Sequence, residues 1–162
     1  GLGDVYKRQA LVNAVQEEVG CIGAGMITYR IQPDAAICID VTHATDSPGL
    51  DKGKFGDIKL GKGPAVIHGT ANHPNLVARL EIVADKNKIN LQHEAAGRRT
   101  GTDTDSIYVS RNGVASALVS LPLRYMHSPV ETAALSDVED TIKLLVELIK
   151  SLKPGDSFGH KL

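Results

Sequence analysis

Ala35-Ala36-Ile37-Cys38-Ile39 is an unbroken apolar run that ends at Asp40. A strand with one wet face alternates apolar with polar residues, so a continuous run indicates a strand covered on both faces, the habit of an α/β sheet. A carboxylate at the end of such a strand must find partners. Val114 to Leu121 reads as a second buried strand, and Ala10 to Val15 as a third, its end carrying Gln16-Glu17-Glu18. Ile89 to Glu94 alternates and reads as a half-buried edge strand.

Helical spacing separates these strands. Ala24 to Ile31 is a short helix broken by Gln32-Pro33-Asp34. Pro74 sits where a first helical residue belongs, with Leu76, Val77, Leu80, Val83 and Ala84 on one face and Asn87 closing the element. Thr102-Asp103-Thr104-Asp105 suits a cap for a short helix through Arg111. Ser136 and Glu139 have capping-box spacing for a last helix whose face is Val138, Ile142, Leu145, Ile149 and Leu152, ended by Pro154-Gly155. Val41 to Pro64, rich in Gly, Asp and Lys, is expected to run over the surface. The expectation is an α/β fold, a mixed sheet covered by helices on both faces. In such sheets ligands gather outside the carboxyl ends of the strands.

The 162 residues suffice for about one domain with a real core. Residues 1–9 do not join the pattern that follows and are expected to be a non-native segment; 10–153 are the domain and 154–162 a tail. A net charge of -1, without basic runs or interleaved aromatics, excludes a nucleic-acid or membrane surface. No apolar stretch reaches the roughly 18 residues of a membrane span. Cys21 and Cys38 lack metal-ligand or redox spacing and read as small apolar residues in a reducing, cytoplasmic setting.

Adjacent glutamates are commonly solvated surface residues. Glu17 and Glu18 gain meaning from Asp40 and from His127 in Arg124-Tyr125-Met126-His127-Ser128-Pro129, which with them make a carboxylate and imidazole set of the kind that holds a catalytic divalent metal. One glutamate of such a pair can bind metal while the other takes a proton from water; the residues alone leave open which does which. Asp40 reads equally as a turn acid and His127 as a structural histidine. Asp103 either supports the site or caps its helix, and Arg124, which could pair with a site carboxylate or a substrate carboxylate, stays unassigned because most arginines do neither. His43, His68, His73, His93 and His160 show no HExxH-like spacing and read as surface, turn or core residues. No dinucleotide fingerprint or phosphate-binding loop is present.

Val15-Gln16-Glu17-Glu18-Val19-Gly20, Asp40-Val41-Thr42 with Asp46-Ser47-Pro48-Gly49, Gly101-Thr102-Asp103, Gly113-Val114-Ala115 and Arg124 to Glu131 together cover the chain from about Val15 to Leu152. In that order they resemble the glutamyl and deblocking aminopeptidase family of dimetal peptidases, some members of which are labelled endoglucanases. The resemblance implies a zinc-peptidase-like catalytic domain, here its C-terminal part. By it Glu17 is the general base, Glu18 and His127 bind one metal and Asp40 the other, with two zinc or cobalt ions activating water for attack on the first peptide bond. It also implies peptide substrates and a homo-oligomeric full-length enzyme. Two departures stand out: Ile22 where relatives often have Arg, and a first metal-binding His and bridging Asp that the family draws from an upstream segment. The expectation is that this chain by itself binds metal poorly and is inactive. Two rivals are a glycoside hydrolase using Glu17 and Asp40 as its acid and base, and a catalytically dead α/β oligomerisation module.

Overall fold

The computed structural model describes residues 8–158. Along the chain come α1 (Ile22–Ile31), β1 (Ala35–His43), α2 (Lys52–Phe55), β2 (Ala65–Gly69), α3 (Pro74–Asn87), β3 (Gln92–Ala96), α4 (Thr104–Ile107), β4 (Ala115–Leu123) and α5 (Leu135–Ser151). The strands form one sheet in the order β1-β4-β2-β3. β1 runs parallel to β4 and β2 parallel to β3, while β2 and β4 are antiparallel, so the sheet is mixed, as the sequence implies.

Alternation along the strands divides the core in two. Val66, Ala117 and Val119 point to one face, where Leu76, Val77, Leu80, Val83 and Ala84 of α3 and Leu144 and Leu148 of α5 cover them. Cys38, Ala65, Ile67 and Leu118 point to the other, where they meet Ile58. Helix α4 lies against β1 and β4, and α1 lies on α4. Each large apolar side chain withdrawn in this way contributes about 1.5–3 kcal/mol. The face expected of α3 is the face buried, and Pro74 occupies its first turn.

Other expectations need correcting. Ala10 to Val15 is not a strand: Leu11 is 101 % and Val15 66 % exposed. A short apolar run becomes a strand only beside a neighbour that takes its N–H and C=O groups, and no described strand pairs with it. The fourth strand is instead β2, hidden from the sequence by its brevity and by His68 and Gly69. The 41–64 stretch is less superficial than expected: β1 continues to His43, and Ala44, Thr45, Ser47 and Ile58 are buried. Thr45 holds that stretch down, its Oγ1 donating to Ile58 O at 3.1 Å and accepting from Ile58 N at 3.0 Å.

The face of α5 is rotated by one residue. Asp137, Thr141, Leu144 and Leu148 are buried, whereas Ile142 is 57 % exposed. The N-cap is Ala134, without a side-chain bond, so the Ser136/Glu139 capping box does not form. Asp137 accepts from the N–H groups of Gly61 and Gly63, each at 2.8 Å, and ties α5 to the turn that enters β2. Residues 1–7 and His160 lie outside the described residues.

Candidate active site

Three separate parts of the chain converge at one end of the sheet. The first is the turn before α1, where Gly20 N and Cys21 N donate to Glu17 O at 3.0 and 2.9 Å and Gly23 N donates to Val15 O at 3.0 Å. Gln16 and Cys21 carry positive φ values of 62° and 55° in this turn. Gly23 is required there, because a Cβ would collide with the Val15 backbone. Glu17 and Glu18 therefore stand on a tight helix-entry turn, not at a strand end as expected. Non-glycine residues in left-handed conformations cost energy and cluster where surroundings over-determine them, commonly at functional sites.

The second part is β1. Asp40 lies within the strand, three positions before its end, on the face of Cys38 that meets α4. Its Oδ1 accepts from its neighbour's N–H, Val41 N, at 2.8 Å.

The third is the loop after β4. Arg124 and Thr132 exchange two backbone hydrogen bonds of 3.0 and 3.1 Å, closing the loop that carries His127. Tyr125 and His127 again have positive φ, 59° and 61°, and His127 N donates to Glu131 Oε1 at 2.6 Å. Arg124 is settled by a bidentate pair with Asp46, Nε to Oδ1 at 3.1 Å and Nη2 to Oδ2 at 2.6 Å. It serves neither a site carboxylate nor an open position.

That fork holds the Asp46 carboxyl below its ordinary value of 3.8. A depressed folded-state value contributes stability in full above the ordinary value, lost as pH falls through the depressed one. The stability difference between the native chain and Asp46→Asn is therefore expected to persist at neutral pH, to begin shrinking as pH falls below 3.8 and to vanish only below the depressed value, measured by urea midpoints. Arg124→Lys should loosen the same loop, because an ammonium cannot reproduce the planar fork.

All four residues singled out in the sequence, Glu17, Glu18, Asp40 and His127, line one cavity of about 260 Å³ with Thr42, His43 and Thr100 among its other walls. His127 Nε2 lies 3.3 Å from Glu18 Oε1. A second cavity of about 280 Å³ adjoins it, sharing Glu17, Glu18 and Gly101 and adding Cys21, Arg99 and Asp105. Burial first, then the neighbouring Asp40, Glu18 and Asp103 charges, push the Glu17 carboxyl above its ordinary value. Burial raises Asp40 too, with Glu18 adding to it, against the bond from Val41 N. Cys21 Sγ donates to Glu17 Oε1 at 3.7 Å, and burial with the Glu17 charge pushes its thiol up to about 11.

Asp103 does not cap α4 through its side chain. Its Oδ1 is buried without a hydrogen-bond partner, and burial with the Asp40 charge raises its carboxyl. Asp105, not singled out in the sequence, accepts from Thr100 N, Thr100 Oγ1 and Gly101 N at 3.0, 2.9 and 3.0 Å and shapes the wall beside it. Crowded carboxylates that repel one another, an orphaned buried carboxylate oxygen and an imidazole at the rim form a donor set that suits a divalent cation.

The match to known proteins runs the length of this arrangement. Residues 4–144 match the model of the M42 glutamyl aminopeptidase family. A lysyl aminopeptidase of Pyrococcus furiosus is 44 % identical over 153 residues, covering 94 % of this chain and 42 % of that protein. An aminopeptidase from the archaeon Desulfurococcus kamchatkensis superposes with a TM-score of 0.81 at 38 % identity, over 89 % of this chain and 41 % of its own. The TET1 peptidase of Pyrococcus horikoshii, described as assembling into a tetrahedron or a large octahedral shell, superposes with a TM-score of 0.69 at 31 % identity, over 86 % of this chain and 40 % of its own. The chain thus spans about two fifths of the length of these relatives. Among the described residues no helix is long and apolar enough to cross a membrane. With its fold, its convergent carboxylates and its motifs in family order, this chain belongs to the M42 glutamyl aminopeptidase family.

Proposed function

We propose that this chain carries the general base and three metal ligands of a metal-dependent aminopeptidase that removes N-terminal residues from peptides. Glu17 is the base; Glu18 and His127 would hold one divalent ion and Asp40 the other, with zinc or cobalt as the ions. The observation that carries this reading is the convergence of those four side chains on one cavity of about 260 Å³. Divalent cations bound there would supply Lewis acidity, making water easier to deprotonate and a peptide carbonyl easier to attack.

The chain's own residues do the remaining work. Cys21 donates to Glu17 Oε1, which leaves Oε2 to take the proton from the attacking water and return it to the leaving amine. The raised Glu17 carboxyl favours the first half of that transfer, since burial and the neighbouring negative charges make it a stronger proton acceptor than an ordinary carboxylate. The tight turn aims Glu17 and Glu18 differently, so adjacent residues divide base and ligand roles.

The remaining metal ligands, a His and an Asp, are proposed to come from upstream sequence, in an enzyme that is cytoplasmic and homo-oligomeric like the TET1 peptidase shells. The test is hydrolysis of a panel of aminoacyl amides by the enzyme with its upstream segment present, supplied with zinc or cobalt. Turnover abolished by chelator and restored by metal is the expected result, with the 162-residue chain alone inactive. Cleavage of a glucan that survives chelator, with no peptide turned over, would replace this reading by a two-carboxylate glycoside hydrolase.

A further inference from the structure

We infer that His68, Glu81 and His93 form a second cation site, for a zinc-class divalent transition metal, separate from the candidate active site. The three come from β2, α3 and β3. His68 Nε2 lies 3.1 Å from His93 Nδ1, and Glu81 Oε1 lies 3.6 Å from His68 Nε2 and 3.5 Å from His93 Nδ1. These donor atoms form a nearly equilateral triangle. A tetrahedral ion with bonds of about 2.0–2.1 Å holds its ligands roughly 3.3–3.4 Å apart. An ion just off the plane of the triangle can therefore reach all three with small side-chain adjustments, leaving its fourth position to water.

The backbone places this triad without strain. β2 and β3 are parallel, with Val66 opposite His93, so Val66, His68 and His93 face the same side, the side covered by α3. Glu81 is on α3 above them, and the imidazole rings lie 5.4 Å apart at 29°. The next residue, Glu94, points the other way, where Thr42 Oγ1 donates to its Oε2 at 2.7 Å. Strand alternation thus sends neighbouring side chains of β3 to two different sites, Glu94 toward the candidate active site's wall and His93 away from it.

The donor chemistry selects the ion. Two imidazoles with one carboxylate suit zinc, cobalt, nickel or copper, whereas magnesium and calcium prefer oxygen-rich sets. Bound metal would clip the edge strand β3 to β2 and to α3, and any ligand that binds only the folded state raises stability by mass action.

The experiment is a cobalt(II) titration of the full-length enzyme carrying Glu18→Gln, Asp40→Asn and His127→Ala, which remove all three catalytic metal ligands proposed in this chain, read by visible absorption and by calorimetry. One saturable equivalent with a low-coordinate cobalt spectrum is expected. His68→Ala and His93→Ala, both exposed positions, should each weaken it by more than about tenfold, the loss produced even by removing a group that merely supports a ligand. Circular dichroism identical to the parent would show that neither variant unfolds. Cobalt binding that is absent in the parent background, or unchanged in both histidine variants, would overturn the site and leave an ordinary His–Glu surface contact.

Discussion

Glu17→Gln in the full-length enzyme is expected to lower kcat by about 10²–10⁴-fold while KM on aminoacyl amides changes little. The amide keeps the size of the side chain and its place on the helix-entry turn, and its carbonyl oxygen can still accept from Cys21. What it loses is the capacity to take a proton. A base acts in the transition state, so its removal falls on kcat, whereas loss of a residue that only binds substrate would fall on KM. Metal content, measured by elemental analysis, should be unchanged in Glu17→Gln and reduced in Glu18→Gln. Full turnover in Glu17→Gln would move the base elsewhere.

Asp137→Ala is expected to cost about 2–5 kcal/mol of stability, because the carboxylate is 1 % exposed and its removal strips partners from two backbone donors. Gly63 N–H is buried in a turn that cannot move aside: Gly63 has φ 85°, and its Cα lies so close to Asn90 O that a side chain would collide. Water cannot readily replace the lost acceptor there. At roughly 2–4 °C per kcal/mol for a chain of this size, the change is readily seen in thermal unfolding. Ser136→Ala and Glu139→Ala, the pair whose spacing suggests a capping box, should each change stability by less than about 0.5 kcal/mol, as exposed surface positions do. Large losses in those two and none in Asp137→Ala would reverse the account of how α5 is anchored.

The contrast between these residues shows where local sequence stops being informative. On α5 the apolar residues Val138, Ile142, Leu145 and Ile149 share a stripe, yet the helix turns about 100° and buries Asp137, Thr141, Leu144 and Leu148. Hydrophobic periodicity counts apolar side chains; it does not know that two glycine N–H groups on a distant turn require an acceptor. Asp137 supplies it, and Thr141 Oγ1 is satisfied locally by Asp137 O at 2.7 Å. The lost strand at Ala10 to Val15 and the unanticipated β2 share one cause, since pairing depends on which edge is available.

The sequence by itself determined the α/β class, the amphipathic α3, the buried β4 and the four residues that meet at the candidate active site; it placed β1 but not its surroundings, since β1 is an edge strand with only Cys38 buried and Ile39 50 % exposed, not a strand covered on both faces. These follow from local periodicity and from motifs whose order survives any folding. Only the tertiary structure decided that Glu17 and Glu18 stand on a strained helix-entry turn, that Arg124 locks onto Asp46, that Asp103 keeps one buried carboxylate oxygen without a partner instead of capping α4, and that His68, Glu81 and His93 come together. The Arg124–Asp46 pair and the His68, Glu81 and His93 cluster join residues far apart in the chain, and distances of a few ångströms between such residues are set by packing of whole elements, which no local pattern encodes.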